Sequence, residues 1–298
     1  MNGNRMIKTL TIKEAAENLD KWAILPPRLN SYTKKKECPV VFDGELVTIQ
    51  IGTKKQPVHC PFGLSRWNQS ENKYTSVKSC TDTAWAYAAA QASDFERKTP
   101  GGKLNSQLTL YDQDTEGTQG NYGWRWINGL VDRIVDGLAN GVEDKENLDE
   151  NGKPKITMAV DQSSLPDEED KRKDLLKHML VPPFRHTNPE YAPSLNCKVR
   201  YSVVKCADSG TPVITLNQAE IYNNFSAEPV KPGTELDIFT EKCRGVWMLK
   251  VNPLSFKRNE INLTIDIVKA VIFPKVSLYR ETAFREDDDE DSAMDGTD

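Results

Sequence analysis

Asn262-Leu263-Thr264-Ile265-Asp266-Ile267-Val268-Lys269-Ala270-Val271-Ile272-Phe273 is the stretch on which the fold turns. Its apolar side chains fall at alternate positions, Leu263, Ile265 and Ile267 and then Val271 and Phe273, the period of a strand with one face on a core. Across Lys257-Arg258-Asn259-Glu260 lies its expected partner, Gly245 to Phe256, and the two make a closing pair. Upstream the pattern recurs in Cys197 to Cys206, the turn Asp208-Ser209-Gly210, and Pro212 to Leu216. Near the N-terminus three short strands are expected: Cys38 to Phe42, Glu45 to Ile51 across the turn dipeptide Asp43-Gly44, and Pro57 to Phe62 after the Gly52 to Lys55 turn. Joined so tightly, they read as a meander.

Between these β-rich ends the signals are helical. Trp85 to Phe95 is alanine-rich and favours a helix by propensity. In Asn121 to Gly141, Trp124, Ile127, Leu130, Val131, Ile134, Val135 and Leu138 recur at three- and four-residue intervals, predicting an amphipathic helix that ends at the glycine. Asp167 to Leu180 has acids in its first turn and Lys177 and His178 in its last, as a helix dipole prefers. Asp144 to Pro154 reads as an acidic linker, and Pro182 to Pro193, with four prolines, as an extended connector. A capping-box spacing, Thr11 to Glu14, marks a short helix between Met6 and Trp22. The expected organisation is one mainly β domain with inserted helices (α+β) over residues 1–283, its helical insertion around 84–180.

Residues 284–298 hold eight acids and one arginine, which predicts a disordered acidic tail. The whole chain has 39 bases and 44 acids; setting aside the eight acids from Glu286 onward leaves 36, so the body is net +3. A basic body on an acidic tail suits a nucleic-acid binder, whose tail competes for the basic groove or recruits partner proteins. No stretch approaches the roughly 20 apolar residues of a membrane span, so an intracellular, soluble protein without a membrane partner is expected. The six cysteines lack C-x-x-C spacing and read as buried free thiols.

Signatures of catalysis are missing: no phosphate loop, no dinucleotide fingerprint, no nucleophile elbow, and three scattered histidines without metal spacing. Gly101-Gly102-Lys103 reads as a turn. No enzyme activity, cofactor or metal is expected. What the chain does offer is cations beside aromatics: Lys34, Lys35 and Lys36 after Tyr32, Lys54 and Lys55 in a turn, Arg66 with Trp67, Lys73 and Lys78 around Tyr74, and Lys198, Arg200 and Lys205 around Tyr201. A single strand needs that mixture, because cations follow phosphates while rings stack on unpaired bases. Alternation puts Tyr201 with Val199 and Val203, the core side of their strand. Trp247, beside Arg244, sits in an apolar run and reads as core.

No reading helix or zinc module for duplex DNA is present, whereas an OB-fold-like antiparallel barrel interrupted by helices accommodates the element order. In Trp126 to Val135, Lys198 to Val204, Thr211 to Leu216, Cys243 to Lys250 and Val268 to Pro274 the chain resembles the single-stranded DNA-binding proteins of nucleocytoplasmic large DNA viruses. The resemblance implies an OB-fold core that coats single-stranded DNA, or RNA, in viral DNA replication, recombination or repair, in the host cytoplasm or nucleus. Replication proteins reached through the tail and self-association are the further partners it implies. The rival reading is a virion structural or assembly protein with a β-sandwich fold, whose lysines would scatter rather than line one groove.

Overall fold

The computed structural model describes residues 7–68, 73–77, 102–186, 188–205, 212–257 and 259–273. The helix expected at Trp85 to Phe95, Lys78 and the acidic tail lie outside them. Five strands form a ring: β1 (Val58–Cys60), β2 (Lys103–Thr109), β3 (Ser194–Lys205), β4 (Cys243–Val251) and β5 (Ile265–Phe273). β1 meets β2 antiparallel at His59 and Thr109, and β2 runs antiparallel to β3 from Lys103/Arg200 to Thr109/Ser194. β3 joins β5 in parallel at Cys197/Ile265 and Lys198/Asp266. β5 pairs antiparallel with β4, and β4 returns to β1 at Cys243/Cys60. The order 1-2-3-5-4 and back to 1 is that of a five-stranded OB-type barrel, antiparallel except at the β3–β5 seam.

Alternation builds the core. β4 runs buried, half-buried, buried from end to end, and its Trp247 is wholly enclosed, with its indole N–H donating to the Val58 carbonyl at 3.0 Å. Leu104, Leu108, Leu195, Cys197, Val199, Ile265 and Ile267 join it, each buried apolar side chain contributing about 1.5–3 kcal/mol. Cys38, Cys60, Cys197 and Cys243 are buried free thiols, as expected, and burial pushes Cys38 up to about 12. Val47–Ile51 continues the line of β1 along the other half of β4. Between them Gly52, at φ +88°, approaches so closely that a Cβ would stand 2.6 Å from the Gly245 carbonyl oxygen. Where β3 and β5 diverge, Pro212–Asn217 pairs with β3 and Glu220–Asn223 with β5.

Helices cover this barrel. α1 (Ile12–Glu17) carries the expected Thr11/Glu14 capping box. α2 (Gln119–Asn140) is capped by Thr118 and buries Trp126, Ile127, Leu130, Ile134 and Leu138 on one face. α3 (Glu169–Met179) binds α2 through Lys173–Asp136 at 2.9 Å and Lys177–Asp132 at 3.0 Å. No described helix is long and apolar enough to cross a membrane.

Four expectations are corrected. The N-terminal meander does not form: the Asp43-Gly44 turn closes, with both residues at positive φ, but Val40–Phe42 pairs with Trp22–Ile24 and Val47–Ile51 with β4. These pairings bury Val40, Phe42, Ile49 and Ile51 almost completely. The supposed linker is a mostly solvated hairpin, Val142–Leu148 with Pro154–Thr157, which touches the core at Val142 and is exposed over most of its length. Gly245 to Phe256 is two strands: after Val251 the chain leaves the barrel, and Leu254–Lys257 pairs with Glu260–Asn262 and Lys36–Cys38. Lastly, the span given to the helical insertion contains β2, and Lys103 opens that strand instead of ending a turn.

Candidate nucleic-acid interface

Because β2 and β3 each give one side chain in two to the core, their other side chains form a common outer face. The register pairs on it are Lys103/Arg200, Asn105/Lys198, Gln107/Asn196 and Thr109/Ser194. All eight residues are polar, three are cations and none is an acid.

One anion lies under this face. Asp266 of β5, its side chain only 8% exposed, accepts from Lys103 Nζ at 3.3 Å and from Arg200 Nε at 3.2 Å. It holds two long cations upright at the end of the face, since a buried carboxylate needs such partners. Lys198 donates to Asn105 Oδ1 and feels the charges of both Lys103 and Arg185. Burial first, then repulsion by Lys103, pushes its ammonium below the usual lysine range, although Asp266 opposes the shift. An anion arriving here would relieve that cost.

The face floors a cleft of about 640 Å³. One wall comes from the β1–β2 connection, with Phe62 and Ser65; another from the β4–β5 connection, with Asn262, Leu263 and Thr264; a third from Val181, Pro182, Pro183 and Arg185. One acid, Glu241, also lines it. Past Phe62, Gln107 and Arg185 the cleft continues into a second of about 440 Å³, lined by Tyr111, His186, Asn188 and Tyr191. Tyr111 and Thr109 lead on to a smaller one holding Lys55 and His59. Phe62 and Tyr191 are 58% and 68% exposed, so their rings are open to solvent at the groove.

The structure gathers some of the sequence candidates and separates others. Lys198 and Arg200 stand on the face, and Lys55 at the far end of the groove. Lys54 turns away, 5.9 Å over the Phe225 ring on the outer face of β4–β5. Tyr32, Lys34 and Lys35 are exposed at the tip joining Arg28–Leu29 to Lys36–Cys38, while Lys36 donates to the Ala159 carbonyl at 2.6 Å. That hairpin is the far edge of a small sheet whose near strands, Leu180–Val181 and Glu260–Asn262, wall the cleft. Arg66 and Trp67 lie in Leu64–Asn68, paired to β2 at Ser65/Asn105, with Trp67 opposite Tyr74 and Asn68 opposite Lys73. Lys205 ends β3. Tyr201 is half-buried against the core, on the side that alternation predicted. Sequence reasoning missed Lys103, Asn105, Gln107, Asn196, Arg185, Phe62, Tyr111 and Tyr191. The signal for the first three was available: polar Lys103, Asn105, Gln107 and Thr109 alternate with Leu104, Ser106, Leu108 and Leu110.

No protein-family model and no curated protein matches the sequence. Among solved structures the chain is similar to the single-stranded DNA-binding protein from bacteriophage Enc34, at 10% identity and a TM-score of 0.32, covering 85% of this chain and 90% of that one. The same phage protein in complex with single-stranded DNA aligns at 10% identity and a TM-score of 0.31, over 85% and 96% of the two chains. A likeness this loose assigns no residue a role.

Proposed function

We propose that this chain binds single-stranded DNA along the outer face of β2 and β3. The observation that carries the proposal is that face itself: eight polar side chains, three cations and no acid, at the place where OB-type barrels take oligonucleotides or oligosaccharides. A neutral saccharide has no use for a desolvated lysine, whereas a phosphate chain does. Lys103, Lys198, Arg200 and Arg185 follow the phosphates, and Phe62, Tyr111 and Tyr191 stack on bases, each stack contributing about 1–3 kcal/mol. Arg66, Trp67, Lys73 and Tyr74, in the hairpin that leaves β2 beside the cleft, extend the path. The setting we propose is the coating of exposed strands during viral DNA replication, recombination or repair, with the acidic tail competing for the groove and recruiting replication proteins. The concentration of cations on one face weighs against a virion scaffold.

The test is fluorescence anisotropy with labelled dT oligomers, duplex DNA and RNA over a salt series, using the full chain and a chain ending at Arg285. Single-strand-selective binding is expected, weakening with a slope of about −0.7 per phosphate neutralised. It should tighten when the tail is removed. No binding at low salt by either chain would refute the proposal.

A further inference from the structure

Two cysteines face each other across the seam that closes the barrel. Cys60, the last residue of β1, and Cys243, the first of β4, are direct partners in the antiparallel register, 183 residues apart in sequence. We infer that they form a disulfide site, in which a hydroperoxide oxidises Cys60 and Cys243 resolves the product into a cross-strand bond. The inference stands apart from the reading of the groove and does not depend on what the groove binds.

Register supplies the geometry. Residues directly opposite in an antiparallel pair have Cα atoms about 4.5–5.5 Å apart, inside the span of about 4.4–6.8 Å that a disulfide bridges. Both side chains point inward, since both positions are buried while the strand neighbours His59 and Arg244 are not. The sulfurs already interact: Cys243 hydrogen-bonds Cys60 Sγ, and its own Sγ stands 3.8 Å from the Cys60 carbonyl oxygen. Ser106 Oγ lies 3.1 Å from Cys60 Sγ, and the Gln107 N–H reaches the same sulfur. Together these contacts, that with Cys243 first, hold the Cys60 thiol below its ordinary value against the effect of burial. Cys197, opposite Ser106 on β3, and Cys38 are in the reverse condition, because burial pushes both up. They are the inert thiols of the same core.

A thiolate is the form that attacks a peroxide. With hydrogen peroxide the Cys60 sulfur takes one oxygen, the O–O bond breaks, and the departing hydroxide picks up a proton and leaves as water. Cys60 is then a sulfenic acid, which condenses with a neighbouring thiol. The Cys243 sulfur attacks the Cys60 sulfur, the S–S bond forms as the S–O bond breaks, and hydroxide leaves with the Cys243 proton as a second water. Two thiols lose two electrons and one peroxide gains them. The pair is buried, yet it lies at the ends of both strands, beside half-buried Pro61 and exposed Glu241 and Lys242. Element ends open most cheaply, so oxidation proceeds through local opening, more slowly than at an exposed thiol. The bond beyond the pair that must give is the one from the Lys242 N–H to the Pro61 carbonyl, 2.9 Å long.

Peptide mapping by mass spectrometry tests the site on the full chain, held native in excess hydrogen peroxide and then alkylated under denaturing conditions. A linked Cys60–Cys243 peptide, split by dithiothreitol, is expected to outnumber every other pairing of the six cysteines. In urea that preference should vanish, because closing a loop of 183 residues is then the costly choice. Linking should raise the melting temperature of the native chain by roughly 5 °C, and reduction should reverse the rise. Cys243→Ser keeps a hydrogen-bond donor beside Cys60 but cannot resolve the sulfenic acid, so dimedone should label Cys60 in that variant and not in the wild-type chain. Cys60 and Cys243 left as thiols after prolonged treatment, or a predominant link between other cysteines, would overturn the site. A melting temperature lowered by the link would do the same. A folded Cys243→Ser chain with no dimedone on Cys60 would overturn Cys60 as the attacking sulfur.

Discussion

The β2–β3 face and the β4–β5 face are two sides of one barrel, made by the same alternation, yet Lys198 on the first and Lys269 on the second are in opposite conditions. On β4–β5 the outward residues Val246, Met248 and Val271 make an apolar shelf, and its cations are already engaged. Lys269 lies 4.4 Å over the Tyr222 ring and 3.4 Å from Glu220. Burial works against its charge, but the Tyr222 hydroxyl and Glu220 outweigh burial and hold the ammonium above the usual range. On β2–β3 the balance at Lys198 goes the other way, and its ammonium is held low. A count of lysines would treat the two faces alike; Lys103 and Arg200 are engaged with Asp266, and what separates the faces is Lys198, buried beside other cations and held by a neutral amide.

Reversing the charges should break that comparison most sharply. Lys198→Glu is expected to weaken dT binding by about thirtyfold or more, because a charge-assisted contact contributes about 1.5–3 kcal/mol and repulsion adds to its loss. Lys269→Glu, at an exposed pair of little net worth, should change binding less than about threefold. Equal losses in the two variants, measured by anisotropy, would mean that the whole barrel surface attracts DNA and that the groove has no special part.

Acidity supplies a subtler contrast. With its folded-state value below its unfolded one, Lys198 destabilises the fold fully below the folded value, and that cost is lost progressively as pH rises from there to the ordinary lysine range. Binding has the opposite sense: a phosphate favours the charged form, so affinity should fall by a few-fold as pH rises toward the ordinary lysine range. Lys198→Gln should flatten this profile, while Lys269→Gln should leave it as in the wild-type chain. A wild-type affinity that does not vary up to the ordinary lysine range would show that Lys198 is not a contact.

Much of this was legible in the residues. The closing strand, the helix Asn121 to Gly141, the capping box at Thr11 and the inward Tyr201 all follow from local period and chemistry. What was not legible is which strands pair. Val40–Phe42 and Val47–Ile51 adjoin in sequence across a turn that forms, and still separate, because partners far along the chain bury more of their apolar surface. The site suffered most from this. A barrel face is assembled from strands about ninety residues apart in the register of β2 and β3, so its amides look like ordinary loop polarity until the register sets them side by side. Lysine runs, being local, were easy to see and a poor guide to the groove.

Lys54 and Lys55 put that last point to its smallest and most direct test. Adjacent in one turn, they have the same charge and much the same solvent, and any rule based on sequence assigns them one role. The structure divides them: Lys55 lines the end of the groove with His59 and Tyr111, while Lys54 lies over Phe225 on the opposite shelf. Lys55→Ala should therefore weaken dT binding by about two- to threefold and flatten the salt slope by about 0.7, the signature of one lost phosphate contact. Lys54→Ala should do neither, since an exposed cation over a ring contributes about 0.5–1 kcal/mol to its own surface and nothing to a distant strand. The slope is the better readout, because affinities differing by twofold are easily confused, whereas the number of displaced counterions is a property of the groove alone. If both variants flatten the slope equally, the bound strand passes over the turn itself and the path drawn through the second cleft is wrong.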